Sequence, residues 1–214
     1  RFAGLLTHEG QVYDAMSREE VERLSVQAHE RIVSLAQTLR RHNPNLQPET
    51  VSVGSTPSMA VLEELTDGIT EIRPGNYVFY DSEQVALGSC QVDDCALTVL
   101  STIIGVYGNR LVIDAGATAL SVDPGPTHID PDCGFGRVLL REEGSLRQVE
   151  TLRIVSLSQE HGKIVLQDED HSFGIGDHVE VIPNHSCLTV NLADRLYVHE
   201  RGRVIDVWRV KGRR

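Results

Sequence analysis

The stretch Thr50-Val51-Ser52-Val53-Gly54-Ser55-Thr56-Pro57-Ser58 joins a short apolar strand to a helix. Its β-branched residues favour extended chain, and the glycine ends the strand. Pro57 suits the first turn of the following helix, which we predict over Met59 to Leu65. The stretch is therefore one strand-to-helix unit, and its neighbours decide which kind of sheet the strand joins.

Similar units lie on both sides of this stretch. Phe2 to Thr7 is a short apolar run, and Ser17 with Glu20 then forms a capping box that opens a helix ending near Arg40 to His42. The apolar residues of that helix recur at helical spacing: Val21, Leu24, Ala28, Ile32, Leu35 and Leu39. Ile69 to Ile72 is the third strand. Strand, helix and strand with right-handed crossovers make a parallel sheet.

The pattern changes after residue 75, where alternating and apolar strand-like runs begin. These runs are Ala96 to Val106, Arg110 to Asp114, Gly136 to Leu140, Thr151 to Ser156, Lys163 to Gln167, His178 to Ile182, Arg195 to Val198 and Arg203 to Val210. They predict an antiparallel β domain of seven or eight strands over residues 76–214. Residues 1–75 hold too few strands for an eight-stranded α/β barrel. We therefore predict an α/β plus β fold, in which the C-terminal part of a TIM-type barrel precedes the β domain.

The composition excludes several classes of protein. With 214 residues, 40% of them hydrophobic, the chain can bury a sizeable core. A net charge of −11 argues against nucleic acid as the main partner. No apolar run of about 18 residues and no basic-then-apolar start occurs, so we expect neither a membrane span nor a secretory leader. The basic tail from Arg195 to Arg214 indicates either a solvated strand edge or a binding patch.

The cysteines do not form a disulfide framework. Four are present, and Cys90 and Cys95 lack the second pair that a four-cysteine metal site needs. We expect ordinary thiols in a reducing cytoplasm.

His185 and Cys187 are candidate metal ligands. They lie two residues apart just beyond the predicted strand His178 to Ile182, and in extended chain such residues point the same way. Imidazole with thiolate suits zinc better than magnesium or calcium. Two protein ligands leave positions for water or substrate, as in a catalytic site. The alternative, a histidine and a small cysteine that end a strand without a metal, stays open.

Two turns are candidates for phosphate binding. Gly54-Ser55-Thr56 lies where a strand ends and a helix begins, so that N–H groups and two hydroxyls are available to an anion. Gly75-Asn76-Tyr77 follows the next strand and supplies a second turn of this kind. Barrels of this class commonly bind phosphate with the loops after their last two strands. The alternative is that the serine and threonine only cap the turn.

Four segments carry a resemblance to a known family. Pro183-Asn184-His185-Ser186-Cys187-Leu188-Thr189-Val190-Asn191-Leu192 resembles the metal-binding segment of the D-serine dehydratase and D-threonine aldolase family. Ser52-Val53-Gly54-Ser55-Thr56-Pro57 resembles its phosphate turn, and Glu71 to Asp81 resembles its next signature. His8-Glu9-Gly10-Gln11-Val12-Tyr13 is similar to an earlier loop of the family.

The resemblance implies an alanine-racemase-like fold that binds pyridoxal phosphate (PLP) and a divalent metal. It implies PLP contacts from Gln11 and Tyr13 and from the two predicted phosphate turns, and zinc on His185 and Cys187. Aldolases of the family typically carry His-x-Asp, so Cys187 points to the dehydratase side.

Two segments depart from the family pattern. Asp114-Ala115-Gly116 matches, but Thr118 stands where a lysine is more usual, and we assign it no role. Ser158-Gln159-Glu160-His161-Gly162 resembles a Ser-Glu-Glu-His-Gly element. His161 either lies near the metal or caps a hairpin turn, and both interpretations stay open.

The chain lacks a lysine in the position that PLP chemistry needs. A Schiff-base lysine holds the cofactor and moves the α-proton. The only two lysines, Lys163 and Lys211, do not end a barrel strand, and in the resembled family the lysine is on the first barrel strand. We therefore predict no catalytic residue in this chain, which is either part of a longer enzyme or a remnant.

The resemblance implies a lyase that converts D-serine to pyruvate and ammonia with PLP and zinc, as a homodimer acting on a small D-amino acid. One alternative is aldolase-type cleavage of a D-3-hydroxy-amino acid, such as D-threonine or D-3-hydroxyaspartate. The other is a non-catalytic fragment used for assembly or zinc binding.

Overall fold

A computed structural model describes residues 2–43, 45–142, 145–167 and 171–212. Arg213 and Arg214 of the predicted basic tail therefore lie outside the described residues. The chain divides into two compact units. The first consists of Arg1–Val78 and Gln84–Gln91, and the second of Phe79–Glu83 and Val92–Arg214.

The first unit contains a three-stranded parallel sheet. Its strands are β1 (Gly4–Leu6), β2 (Thr50–Val53) and β3 (Glu71–Ile72), in that order across the sheet. β2 pairs in parallel with both neighbours. The predicted parallel arrangement is confirmed, although β3 is shorter than the predicted run. That these strands belong to a TIM-type barrel stays a prediction.

A long helix, α1 (Arg18–His42), connects β1 to β2. The Ser17 hydroxyl accepts a hydrogen bond from the Glu20 N–H at 3.2 Å, as the capping box predicts. The predicted apolar face is wrong at Leu35, which is 49% exposed. The predicted Val21 and Ile32 are buried, and the buried face also includes two polar residues, Ser25 and His29, that apolar periodicity does not indicate.

The second helix, α2 (Thr56–Val61), begins and ends earlier than the predicted span of Met59 to Leu65. Ser55 is its N-cap, and the Ser55 hydroxyl accepts a hydrogen bond from the Ser58 N–H at 3.3 Å. This cap fixes the helix start immediately after the glycine turn. A further short helix, α3, spans Ser82–Ala86, and single 3-10 turns span Gly10–Asp14, Asn76–Val78 and Val92–Asp94.

The second unit has eight strands within the described residues. They are β4 (Val99–Tyr107), β5 (Arg110–Ile113), β6 (Arg137–Glu142), β7 (Ser145–Leu157), β8 (Gly162–Val165), β9 (His178–Ile182), β10 (Arg195–Glu200) and β11 (Arg203–Arg209). The first six close into an antiparallel barrel in the order β4-β5-β8-β7-β6-β9, and β10 and β11 form a separate hairpin. Two short helices accompany them, α4 (Ala117–Leu120) and α5 (Ser186–Leu192). The predicted antiparallel β domain is confirmed.

The barrel closes around an apolar core supplied by inward-facing residues of its strands. Among the core residues with no exposed surface are Ile103, Leu111, Ile113, Ile154, Ile164 and Val181. β7 is longer than the predicted run Thr151 to Ser156, because the backbone of its first residues pairs with β6 although many of their side chains are polar. Core packing therefore fixes the end of β9, the strand that leads to the candidate metal ligands.

The hairpin of β10 and β11 is exposed. Every residue of β11 is exposed, including Val204, Val207 and Trp208, so both interpretations of the basic tail stay predictions. No helix of the described ranges combines the length and the apolar character needed to cross a membrane.

Candidate metal site and phosphate turn

The two candidate metal ligands lie at the start of α5 in the second unit. β9 ends at Ile182, and His185 is the N-cap of α5 with extended backbone angles of φ −134° and ψ 103°. Cys187 is the second helical residue, so the expectation that both residues lie in extended chain is wrong. The helix start nevertheless brings them together, because Cys187 is among the groups that raise the pKa of His185.

Asp123 also contacts His185. Oδ2 of Asp123 lies 3.4 Å from Nδ1 of His185. The hydrogen bond to Asp123, followed by the one to Cys187, raises the pKa of His185 to about 10. The same contact lowers the pKa of Asp123.

The loop that carries Asp123 is held by Asn184. The amide of Asn184 donates hydrogen bonds to the Asp123 carbonyl at 3.0 Å and to the Gly134 carbonyl at 2.8 Å. Asn184 is 2% exposed and immediately precedes His185. Gly125 has a φ of +66°, and a Cβ there would lie 2.6 Å from the Asn184 side chain. These contacts fix the Asp123 loop against the segment that bears His185.

A second carboxylate supports the start of α5. Asp81 is fully buried, and Oδ2 accepts a hydrogen bond from the Ser186 N–H at 2.8 Å. A carboxylate at a helix N-terminus is electrostatically favourable. The residue after Asp81 also contacts the chain that leads to α5. The Ser82 N–H donates a hydrogen bond to the Pro183 carbonyl at 3.0 Å.

The donor chemistry of His185 and Cys187 fits zinc. One imidazole and one thiolate are ligand types that zinc binds, and an open coordination sphere characterises catalytic zinc sites. Across the described part of the chain, no group of three or more His, Cys, Asp or Glu side chains is arranged to hold a metal ion.

The predicted cofactor segments meet at the carboxyl end of the parallel sheet in the first unit. The Gly54 N–H donates to Oε2 of Glu9 at 3.1 Å, and Nδ1 of His8 donates to the Gly54 carbonyl at 2.6 Å. A Cβ on Gly54 would lie 2.6 Å from the backbone nitrogen of Arg73. Only glycine allows this approach of the turn to the chain that follows β3.

A buried polar network underlies this turn. Oε1 of Glu9 lies 3.2 Å from Nε2 of His29, and both side chains are fully buried. The hydroxyls of Ser55 and Ser58 are 2.8 Å apart, and that of Ser58 is 2.8 Å from the Ser25 hydroxyl. Sequence patterns gave no indication of these partners, although Ser25 and His29 lie one helical turn apart on the buried face of α1.

Thr56 differs from its two neighbours in the turn. The N–H of Gly54 and the hydroxyl of Ser55 are used to hold the turn itself. Thr56 is 2% exposed, and within the described residues its buried hydroxyl has no hydrogen-bond partner. A buried hydroxyl without a partner is costly unless a ligand satisfies it.

The other predicted cofactor residues surround this turn. Gly75 is exposed, and a Cβ there would meet nothing within 4 Å. Asn76 is buried, whereas Tyr77 is 54% exposed. On the loop after β1, Gln11 is exposed, and the ring of Tyr13 lies 6.1 Å from that of His8.

His161 lies in the turn between β7 and β8. Its carbonyl accepts a hydrogen bond from the Ser158 N–H at 2.8 Å, and the Thr118 hydroxyl donates to the Gln159 carbonyl at 2.9 Å. His161 thus lies in a hairpin turn, and whether its side chain takes part in the metal site stays a prediction. Lys163 lies in β8, and Lys211 follows β11, so neither follows a strand of the parallel sheet.

Comparisons with known proteins agree with these segments. A family model described as “Putative serine dehydratase domain” matches residues 96–199. The D-serine dehydratase of Dictyostelium discoideum is 34% identical over 207 residues, which are 92% of this chain and 51% of that protein. D-threonine aldolase from Arthrobacter also matches, at 28% identity. The chain belongs to the D-serine dehydratase and D-threonine aldolase family. It spans about half the length of these curated relatives.

A solved structure in this family shares the fold. D-threo-3-hydroxyaspartate dehydratase from Delftia sp. HT23 superposes with a TM-score of 0.88 at 30% identity, covering 98% of this chain and 56% of that one. Two further solved structures are variants of an enzyme with this name. In one of them alanine replaces a cysteine, and in the other alanine replaces a histidine two positions before that cysteine. The cysteine variant is described as metal-free. An alanine-racemase-like protein from Idiomarina loihiensis superposes with a TM-score of 0.84 at 29% identity, covering 97% of this chain and 55% of that one.

Proposed function

We propose that this chain is part of a PLP- and zinc-dependent lyase that acts on D-3-hydroxy-amino acids and converts D-serine to pyruvate and ammonia. The observation that carries the proposal is the placement of His185 and Cys187 together at the start of α5, one at the N-cap and the other in the first turn. A histidine and a cysteine at the same spacing are the residues replaced in the solved variants of a relative. The expected setting of the intact enzyme is a cytoplasmic homodimer.

The proposed metal ligands are His185 and Cys187. Bound zinc would supply Lewis-acid polarisation of the substrate's 3-hydroxyl group. Cys187 is exposed, so its sulfur is accessible to an incoming ion and the remaining coordination positions are open to substrate. Asp81 holds the start of α5 through the Ser186 N–H and thereby keeps the two ligands on one helix end.

The proposed cofactor contacts are the Gly54 turn, the Gly75-Asn76-Tyr77 turn, Gln11 and Tyr13. Bound PLP would supply the electron sink for the carbanion at the substrate's α-carbon. Gly54 permits the close backbone approach, Ser55 holds the turn, and the Thr56 hydroxyl is available to a phosphate oxygen. Lys163 and Lys211 both belong to the second unit, so we propose that the Schiff-base lysine lies outside these 214 residues.

Product analysis tests this function on the intact enzyme that contains this chain. We expect pyruvate and ammonia from D-serine. Glycine and an aldehyde from D-threonine or D-3-hydroxyaspartate would instead support aldolase-type cleavage, for which the Arthrobacter relative is the precedent. Racemisation alone would contradict both reactions, and no turnover with bound zinc would support the non-catalytic alternative.

Thr56→Val is expected to weaken PLP binding without destabilising the chain. Valine has the same shape but no hydroxyl, so the variant loses one hydrogen bond to a charged phosphate, worth about 1.5–3 kcal/mol or roughly 10–100-fold in affinity. Removing a buried hydroxyl that has no partner leaves the free energy of unfolding unchanged or slightly higher. Urea unfolding and equilibrium titration with PLP measure the two quantities separately.

Thr70→Val is the matched control, because the Thr70 hydroxyl accepts a hydrogen bond from the Val51 N–H at 2.8 Å. This variant is expected to lose about 1 kcal/mol of stability while its PLP affinity stays unchanged. Equal PLP affinity in Thr56→Val and the unaltered chain would contradict the proposed phosphate contact.

A further inference from the structure

One ring nitrogen of His185 faces a carboxylate, and this contact bears on metal binding. Oδ2 of Asp123 lies 3.4 Å from Nδ1 of His185. We propose that Asp123 is the positioning residue of the zinc site: it accepts the Nδ1 hydrogen of His185 and leaves Nε2 as the nitrogen that binds the metal. This inference rests on the proposed function, because it concerns the zinc that His185 would hold.

The two oxygens of Asp123 have separate partners. Oδ1 accepts a hydrogen bond from the Gly125 N–H at 2.8 Å, which shapes the turn, and Oδ2 faces the His185 ring. Asn184 holds the same loop through the Asp123 carbonyl at 3.0 Å. Because Asn184 and His185 are adjacent in sequence, the carboxylate and the ring are held at a fixed separation. A carboxylate that only capped the turn at Gly125 would not require the additional hydrogen bond from Asn184 to the Asp123 carbonyl.

The backbone supports the same assignment. Within the described ranges, the non-glycine residues with φ in the left-handed region are Tyr80 (53°), Ser121 (68°) and Arg201 (50°). Tyr80 directly precedes Asp81, and Ser121 lies two residues before Asp123. Such backbone is strained and persists where surrounding contacts require it. Both carboxylates that support the His185 segment therefore follow strained backbone.

The two carboxylates have different tasks. Asp81 accepts the Ser186 N–H and shapes the start of α5, whereas Asp123 faces the imidazole. Only the second contact decides which ring nitrogen carries the hydrogen. If an amide replaced the Asp123 carboxylate and its oxygen kept the Gly125 N–H, its NH₂ group would donate to Nδ1 of His185. The ring hydrogen would then move to Nε2, where it competes with zinc.

Asp123→Asn in the full 214-residue chain is the test. We expect its zinc affinity, measured by competition with a chromophoric chelator, to fall roughly 10–100-fold. At saturating cobalt(II), the thiolate-to-metal absorption band from Cys187 should persist, because the variant keeps both ligands. Asp177→Asn is the matched control: Oδ2 of Asp177 also accepts a glycine N–H, from Gly174 at 2.8 Å, and its loss should leave zinc affinity unchanged.

The outcomes separate this proposal from the metal assignment itself. Wild-type zinc affinity in Asp123→Asn, together with loss of zinc in His185→Ala, would overturn the role of Asp123 and leave the metal site intact. Wild-type affinity in His185→Ala would overturn the metal assignment. If Asp123→Asn does not fold, Asp123→Ser takes its place, because serine can accept the Gly125 N–H but is too short to reach His185. The same 10–100-fold loss is expected of it, and wild-type affinity would again refute the proposal.

Discussion

Replacing either Cys187 or His185 with alanine is expected to lower the zinc affinity of the chain by at least about 100-fold. Each variant removes one of two protein ligands, and structural zinc sites with four ligands bind with about 10–16 kcal/mol, or roughly 3 kcal/mol per ligand. PLP binding should be retained in both variants, because the candidate phosphate turn belongs to the first unit and the ligands to the second. Metal analysis after dialysis, together with PLP absorbance, measures both properties in one sample.

Two matched controls accompany this experiment. Cys95→Ala removes a partly buried cysteine of the same unit, and His161→Ala removes an exposed histidine of the β7–β8 turn. Both are expected to keep wild-type zinc content. Equal zinc in Cys187→Ala and the unaltered chain would refute the assignment of the sulfur ligand. Loss of zinc in His161→Ala would show that the hairpin turn takes part in the site.

Gly54→Ala is expected to destabilise the first unit by about 3 kcal/mol or more. The new Cβ would lie 2.6–2.7 Å from backbone atoms of Arg73, and backbone cannot move aside as a flexible side chain does. The turn would have to move away from the chain after β3. The hydrogen bond from the Gly54 N–H to Glu9 would be strained in the process. PLP binding should be lost with the turn.

Gly75→Ala provides the comparison within the same pair of turns. A Cβ at Gly75 meets nothing within 4 Å, so the change in the free energy of unfolding should stay within about 1 kcal/mol. Urea unfolding of both variants measures the difference. Similar stability of the two variants would contradict the close approach of Gly54 to Arg73.

The strands could be predicted where their pattern is local. β2 and β9 have the predicted bounds, because short apolar runs between turn residues determine them. The first part of β7 could not be predicted, since its polar residues are held in the sheet by pairing with β6. The closure of six strands into a barrel depends on pairings between distant segments, such as β4 with β9, that no local pattern shows.

The candidate metal site was predictable only in part. His185 and Cys187 were identified from their spacing and from family resemblance. Asp123 is not among the candidates identified from the sequence, because Asp-Pro-Gly-Pro is a strong local turn signal and the partner of the carboxylate is 62 residues away in the chain. Asn184 lies within the resembled segment, yet its function as an anchor depends on two carbonyls from distant loops.

The polar network below Gly54 shows a second limit of sequence patterns. Apolar periodicity placed Leu35 on the buried face of α1, whereas Ser25 and His29 lie on that face beside the predicted Val21 and Ile32. The burial of His29 depends on Glu9, which lies before the helix and also holds the Gly54 N–H. A buried polar residue is recognisable only with its partner, and the partner is set by the tertiary fold.

X-ray absorption at the zinc edge of the zinc-loaded chain tests the central claim most directly. An open site on His185 and Cys187 predicts one sulfur at about 2.3 Å, with the remaining scatterers being nitrogen or oxygen at about 2.0–2.2 Å. The sulfur contribution should vanish in Cys187→Ala and persist in Cys95→Ala. A shell with two or more sulfurs, or a shell of nitrogen and oxygen alone in the unaltered chain, would contradict zinc binding by this pair.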